Sequence, residues 1–448
     1  MVESMRRSAR RRKVYLVPEE IPERFAAELM DQAEYLDRIE SNQQIQAVMV
    51  LDGRIDRELL ARAVRLTLDA EPIMGCRFVE RLRPYWQRRQ DLDHLELVSV
   101  AECATESDAS DALMEFLTAA GDPRHVPLVR VKVLRADSDT ISVKVDHIAA
   151  DTGGTRDYLY LLCDTYNRLV EDPGYRPLPN AAGDRSLNQV LGRFSLTEKA
   201  RSLRHGFPPR PAWGFPWKGG GQGDYSFAIR RMPEESFRAL EAYGKGHQAT
   251  INDCLLAAYY RAFFEIAGTP PGTGCTVLVP IDLRRNLPEE TAGAICNLSG
   301  QLYPVIAMKR GEGFAGTVER VRDAMGVFKA HMPGIGAAIG VAAVVSPGVR
   351  VASRFYGSMI AAALRSGRCN PYLSNMGRLS PERLDFAGAP VKDAYLVSPL
   401  MSPPGFLVGA SSFADRLTLT IGYAGAGENR ETVERLLDLL EKDLLLYE

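Results

Sequence analysis

The chain has 448 residues, 46% of them hydrophobic and 25% charged, with a formal net charge of -2. That much apolar material is enough for two cores, and the near balance of charge offers no field for nucleic acid. The seven cysteines (76, 103, 163, 254, 275, 296, 369) contain no Cys-x-x-Cys and the six histidines show no ligand spacing. The sequence therefore predicts reduced cytoplasmic thiols and neither a structural nor a catalytic metal.

The basic run Arg6 to Lys13 has no apolar stretch behind it, so it is not a secretory signal; it reads as a solvated tail, with contact to an anionic surface such as a membrane or a carrier protein as the alternative. Residues 22–36 are patterned as an amphipathic helix and 44–51 as a strand that leads to the turn Asp52-Gly53. Asp56 opens a helix with Leu59, Leu60, Ala63, Val64 and Leu68 inward. An extended region then runs from Arg77 past Trp86, and 107–119 is a helix. Residues 127–135 and 141–146 form a hairpin, because Ile141, Val143 and Val145 alternate with Ser142, Lys144 and Asp146.

That hairpin delivers His147 to a strand end. Asp151 follows four residues later, then Gly153-Gly154, then a helix with Leu159, Leu162, Cys163, Tyr166, Leu169 and Val170 on one face and Thr155 placed to cap it. An imidazole takes and returns a proton near neutrality, so a histidine held in such a turn suits a general base. The same spacing also suits a histidine that only caps a strand.

Between residues 172 and 224, seven prolines (173, 177, 179, 208, 209, 211, 216) and Gly219-Gly220-Gly221 mark a long connector with one short helix near 195–203. The chain divides accordingly into an amino-terminal lobe (1–175), the connector (176–224) and a carboxy-terminal lobe (225–448). In the second lobe, 225–232 is a strand and Thr250 with Asp253 forms a capping box before an apolar helix ending near 267. Residues 275–281 read as one buried strand leading into Asp282-Leu283-Arg284-Arg285. Helices follow at 314–329 and 349–364, strands at 395–397, 405–410 and 417–423, and a final helix at 431–445. The uncharged stretch 335–347 is shorter than the ~20 residues of a spanning helix. Its Gly/Ala content suits close packing or a channel wall.

DHIAADTGG resembles the HHxxxDG motif of the chloramphenicol acetyltransferase-like superfamily, which includes condensation domains, alcohol acetyltransferases, wax ester synthases and plant acyltransferases. Further segments are similar in order and spacing: VMVLDGRIDRELLARAVRLTLDAEPIMGCRF, TINDCLLAAYYRAF, VLVPIDLRRNLP, ICNLSG and YLSNMGRL. Together they cover residues 40–448. Two positions depart from the motif: Asp146 replaces its first histidine and Thr152 its glycine.

The resemblance implies an α/β (α+β) fold, two lobes arranged as a V-shaped pseudo-dimer with a central tunnel. It implies transfer of an acyl group from coenzyme A or a phosphopantetheine-bearing acyl or peptidyl carrier protein, acting in trans, to a small amine or alcohol. No cofactor is tightly bound on this reading, and no membrane-spanning segment or nucleic acid takes part. His147 is implied as the base. Asp151 is implied to pair with Arg284, or secondarily Arg285, and so to fix the turn, with Asp146 in support. Gly153, Gly154, Ser374, Asn375 and Asn297 are candidates for substrate or oxyanion contacts. The departures at 146 and 152 leave a second reading open, a non-catalytic binding or docking module of the same shape.

Overall fold

The computed structural model describes residues 20–219, 225–425 and 427–445; the basic run 6–13 lies outside them. In the first half, β1 (Arg24–Ala26), α1 (Leu29–Asp37), β2 (Gln44–Leu51) and α2 (Arg57–Ala70) precede β3 (Cys76–Val79), β4 (Tyr85–Arg88) and β5 (Val98–Glu102). Helix α3 (Glu106–Thr118), the hairpin β6 (Val129–Arg135) and β7 (Asp139–Asp146), and α4 (Thr152–Glu171) complete it. The connector carries α5 (Asn188–Leu191) and α6 (Leu196–Ser202).

The second half begins with β8 (Tyr225–Arg231), α7 (Glu234–Gly246), α8 (Ile251–Ile266), β9 (Gly274–Thr276) and β10 (Val279–Asp282). It continues through β11 (Ser299–Leu302), β12 (Val305–Ala307), α9 (Phe314–Lys329), α10 (Ile335–Val345) and α11 (Val349–Ser366). It ends with β13 (Tyr372–Leu379), β14 (Asp385–Phe386), β15 (Ala389–Val397), β16 (Leu407–Phe413), β17 (Arg416–Ala424) and α12 (Glu428–Leu444).

Two mixed sheets organise these elements, one in order β14-β15-β2-β7-β6-β5 and one in order β13-β16-β17-β8. Each anchors its own apolar core. Ala47, Val143 and Leu159 belong to the first, and Leu256, Val408, Ile421 and Leu437 to the second. Chain order and sheet membership differ at one place. β14 and β15, which lie in the stretch assigned to the second lobe, complete the first lobe's sheet, with Tyr395 opposite Val48 on β2. The halves are thereby locked by backbone hydrogen bonds as well as by packing.

Three local expectations are corrected. Residues 22–36 are not one helix: Phe25 pairs with Trp86 in the β1–β4 ladder, and α1 starts only after Glu28, where Glu28 and Asp31 form a capping box. Thr155 does not cap α4. Asp151 does, its side chain accepting from the Gly154 amide, and Thr155 is buried one turn inside the helix. The strand read at 275–281 is interrupted, because β9 pairs with β12, β10 pairs with β11, and Leu278 between them donates its N–H to the Pro371 carbonyl at 2.8 Å.

The small residues of α10 serve close approach. A Cβ on Gly336 would overlap the Ser202 carbonyl oxygen, and one on Gly340 would lie 2.7 Å from the Gly206 oxygen. Among the described residues no single helix is long and apolar enough to cross a membrane; α10 and α11 meet at a bend of 113°. Because both contacts at α10 are to backbone, a larger side chain has no flexible neighbour to displace. Gly336→Ala is expected to lower unfolding stability by ~1–3 kcal/mol, measured by denaturant unfolding; an unchanged midpoint would contradict this packing.

Candidate active site

The site begins where β7 ends. Asp146 is buried opposite Gln44 of β2, accepts from Gln44 Nε2 at 2.9 Å, and accepts from the Ile148 amide at 3.1 Å. Burial pushes its pKa up to about 6 even though both hydrogen bonds favour the carboxylate. The next residue, His147, donates its backbone N–H to the Gln43 carbonyl at 2.9 Å, and Ala149 N donates to the Asp146 carbonyl at 3.0 Å. These bonds close a tight turn between the strand and α4.

Asp151 ends that turn in a buried position with every carboxylate lone-pair direction in use. Oδ1 accepts from the Gly154 amide at 2.8 Å and meets Arg284 Nη1 at 2.9 Å. Oδ2 accepts from the Leu298 amide at 2.7 Å, from Ser299 Oγ at 3.1 Å and from Arg284 Nη1 at 3.0 Å. Burial alone would raise the pKa of Asp151. The Arg284 charge and the hydrogen bonds outweigh it and hold the group below the usual carboxylate value. Arg284 is 3% exposed and also donates to the Cys296 carbonyl at 2.8 Å.

Gly153 and Gly154 belong to this arrangement. A Cβ at 153 would come within 2.5 Å of Arg284 Nη1, and one at 154 within 2.9 Å of the Cys296 oxygen. Glycine lets the start of α4 lie flush against the second half. The Gly154 amide is occupied by Asp151.

The imidazole of His147 is 17% exposed, yet its Nδ1 is sealed from solvent and makes no hydrogen bond among the described residues. The solvent contact therefore lies on the rest of the side chain. Burial lowers the pKa of the ring; its own carbonyl, the Asp151 and Asp146 charges and the Asn297 amide oppose that shift only in part. His147 is thus neutral at pH 7.

Asn297 is 1% exposed, and its amide nitrogen donates to the Ile148 carbonyl at 2.8 Å and to Asp31 Oδ1 at 3.3 Å. Asp31, fully buried on α1, also accepts from Trp86 Nε1 at 2.9 Å and from Arg185 at 2.9 and 3.2 Å. Arg185 in turn donates to the Ala149 carbonyl at 2.7 Å. His147, Asp146, Asp151, Gly153, Gly154, Arg284 and Asn297 are brought together around one turn. Ser374 and Asn375 lie on β13; Asn375 is exposed, with Oδ1 accepting from the Gly377 amide at 3.1 Å. Among the described residues no hydrogen bond ties either to the turn.

Sequence reasoning missed the contribution of α1. Glu34 places Oε2 3.4 Å from His147 Nδ1. Burial first, then the neighbouring charges of Asp151, Asp31 and Asp146, push Glu34 up to about 8. The signal was the spacing of acids at 31, 34 and 37, which puts three carboxyls on a helix that also buries Met30, Ala33 and Leu36, with Glu40 just past its end. Cys163 and Cys254 are buried with thiols pushed up to about 12 and about 11, which suits inert packing and not nucleophiles. The polar cleft lined by Gly153, Arg156, Asp157, Asp282, Arg284 and Arg285 encloses about 130 Å³ and does not include His147. It is small for an acyl donor, since ligand pockets run to about 300 Å³ and above.

Solved structures that share this architecture include condensation domains and an acetyltransferase. The chain superimposes with a TM-score of 0.67 and 18% identity on the first condensation domain of the CDA synthetase, covering 94% of this chain and 96% of that one. The trichothecene 15-O-acetyltransferase TRI3 from Fusarium sporotrichioides gives 0.68 at 13% identity, covering 94% and 95%. Polyketide synthase associated protein 5 from Mycobacterium tuberculosis gives 0.66 at 15% identity, covering 95% and 100%. No family model and no curated protein matches the sequence. The chain has the fold of these condensation and acetyltransferase domains.

Two stability measurements test this geometry. Asp151→Asn removes the buried countercharge of Arg284 and leaves it only the more exposed Asp282, 3.1 Å from Nη1; the change is expected to cost ~3 kcal/mol, and wild-type stability would contradict a structural role for the pair. Glu34 has a folded pKa of about 8 against 4.5 when free, so the stability it contributes is full below pH 4.5 and is lost as pH rises toward 8. Glu34→Gln is therefore expected to gain stability relative to wild type between pH 5 and 8.5. Parallel curves for the two proteins over that range would contradict the burial of a protonated Glu34.

Proposed function

We propose that this chain is an acyltransferase that moves an acyl group from a coenzyme A or carrier-protein thioester to a small amine or alcohol, with His147 as general base. The observation that carries the reading is an imidazole at the seam of the two halves, its Nδ1 sealed while the side chain is 17% exposed, in surroundings whose burial favours the neutral ring. Nε2 accepts the acceptor's proton as its oxygen or nitrogen attacks the thioester carbonyl. The tetrahedral intermediate then expels the thiolate, the C–S bond breaks, and the proton on Nε2 passes to sulfur. The acyl group goes directly to the acceptor, so no residue is acylated.

The fold supports this reading, because its structural relatives include condensation domains and an O-acetyltransferase. A carrier protein as donor is in keeping with the synthetase origin of the former. The thiols of the chain are suited to the cytoplasm, where acyl thioesters are made. Asp151 and Arg284 are structural here: they fix the turn and do not touch the reacting atoms. Gly153, Asn297, Ser374 and Asn375 remain the proposed sources of contacts to the oxyanion or substrate.

The competing reading, a docking module without chemistry, rests on Asp146 and Thr152. The hydrogen bonds of Asp146 weigh against it, since they hold the turn that a histidine would otherwise hold. Thr152 forms the first residue of α4 without disturbing the Asp151 cap.

Incubation with acetyl-, octanoyl- and benzoyl-CoA and a panel of primary amines and alcohols, with CoA release followed by chromatography, tests the proposal. His147→Ala is expected to lose about 10²–10⁴-fold in turnover with an unchanged melting temperature. Because the imidazole pKa is lowered, kcat/KM of the wild type should rise with pH through a midpoint below 6.5. CoA release that is unaffected by His147→Ala, or that titrates above 6.5 on the acid side, would overturn the assignment.

A further inference from the structure

Four carboxyl groups act on the surroundings of His147: Asp31, Glu34, Asp146 and Asp151. Three of them are committed elsewhere through both oxygens. Asp151 is held by Arg284, two backbone amides and Ser299. Asp146 is held by Gln44 and the Ile148 amide, and Asp31 by Arg185, Trp86 and Asn297. Glu34 alone makes no hydrogen bond among the described residues, and it is the one whose oxygen approaches the ring, at 3.4 Å from Nδ1. Its helix cannot drift, because Asp31, one turn earlier on the same side, is pinned by the arginine, the tryptophan and the asparagine.

On the acyl-transfer reading above, we propose that Glu34 is the positioning residue of His147, accepting Nδ1–H so that Nε2 carries the free lone pair toward the acceptor. Asp151 cannot do this with its oxygens engaged. The present 3.4 Å contact falls short of hydrogen-bond geometry, as apo contacts of catalytic bases often do before substrate closes the site. When Nε2 takes the acceptor's proton, the ring becomes an imidazolium whose Nδ1–H faces Glu34. A protonated Glu34 offers that N–H only its carbonyl oxygen, whereas an ionised one offers a full negative charge.

The groups facing Glu34 are Asp31 and Asp37 from α1, Asp146, His147 and Asp151 from the turn, and Tyr356 from α11. Helix α10, which also packs on α1, has no titratable residue. Burial raises the tyrosine pKa, so it stays neutral over the working range. Two carboxyls next to the ring ionise inside an ordinary assay range, Asp146 near pH 6 and Glu34 near pH 8, so a change above neutrality reports Glu34.

The test compares Glu34→Ala and Glu34→Gln in the full chain, using the acyl-CoA and acceptor that give the highest wild-type CoA release. Glu34→Ala should lower kcat about 10- to 100-fold, the scale on which hydrogen-bond partners that orient metal-bound histidines act, with KM within about twofold. Glu34→Gln, which keeps an oxygen acceptor, should recover most of that loss at pH 7. It should also abolish the rise in kcat that the wild type shows as pH passes through about 8. In parallel, ¹⁵N-histidine spectra without substrate, with the residue-147 signal assigned by its loss in His147→Gln, should report Nδ1–H in the wild type and a mixed tautomer in Glu34→Ala. Wild-type kcat in Glu34→Ala, a Gln variant with the wild-type pH profile, or an unchanged tautomer in Glu34→Ala would each overturn the proposal. If no protein releases CoA from any donor, acyl transfer fails, and the tautomer spectra still decide the role of Glu34.

Discussion

The Asp151–Arg284 ion pair is the constraint from which the rest of the site follows. It ties the first turn of α4, in one half of the chain, to the segment after β10 in the other, with both side chains almost fully buried. Removing two charges from water costs several kcal/mol per ion, and only close pairing with saturated hydrogen bonding offsets that. Here the saturation is nearly complete, with two backbone amides, a hydroxyl and a guanidinium on one carboxylate. An arrangement that demanding has a single geometry, and His147 inherits its position from it.

A second buried pair, Asp31 with Arg185, does the same for the other wall. Arg185 comes from the connector and reaches α1, the Ala149 carbonyl and the Ile295 carbonyl together. Connector, first half and second half thus meet at one guanidinium. Between the two pairs lies a histidine that burial keeps neutral, next to a glutamic acid that burial keeps protonated. Both shifts have the same cause, since low dielectric penalises the charged form of each group. The pair therefore holds its proton on the carboxyl at neutral pH, and the imidazole is left as the base.

Much of this was legible in the amino-acid sequence where the signal is local. The alternation of 141–146 marks β7, the Thr250–Asp253 box marks the start of α8, and the DLRR segment put Arg284 within consideration as the partner of Asp151 through the family resemblance. Signals that depend on distant partners were not legible. The strand at 275–281 breaks because its two ends find different neighbours, which no periodicity reports. β15 joins the first sheet because β2 offers an open edge, a choice made across more than 300 residues of chain. The acids of α1 carry no local mark of burial, and Asp31 becomes interior because Trp86, Arg185 and Asn297 reach it from distant parts of the chain.

The central claim is that the ring of His147 is neutral and open along one edge. Brief treatment of the native protein with diethyl pyrocarbonate at pH 6.5, with modified sites mapped by mass spectrometry, tests both properties at once, because the reagent acylates a histidine only at an accessible, unprotonated ring nitrogen. The account predicts modification at His147 alongside the exposed His94. Modification of His94 with His147 left untouched would contradict it.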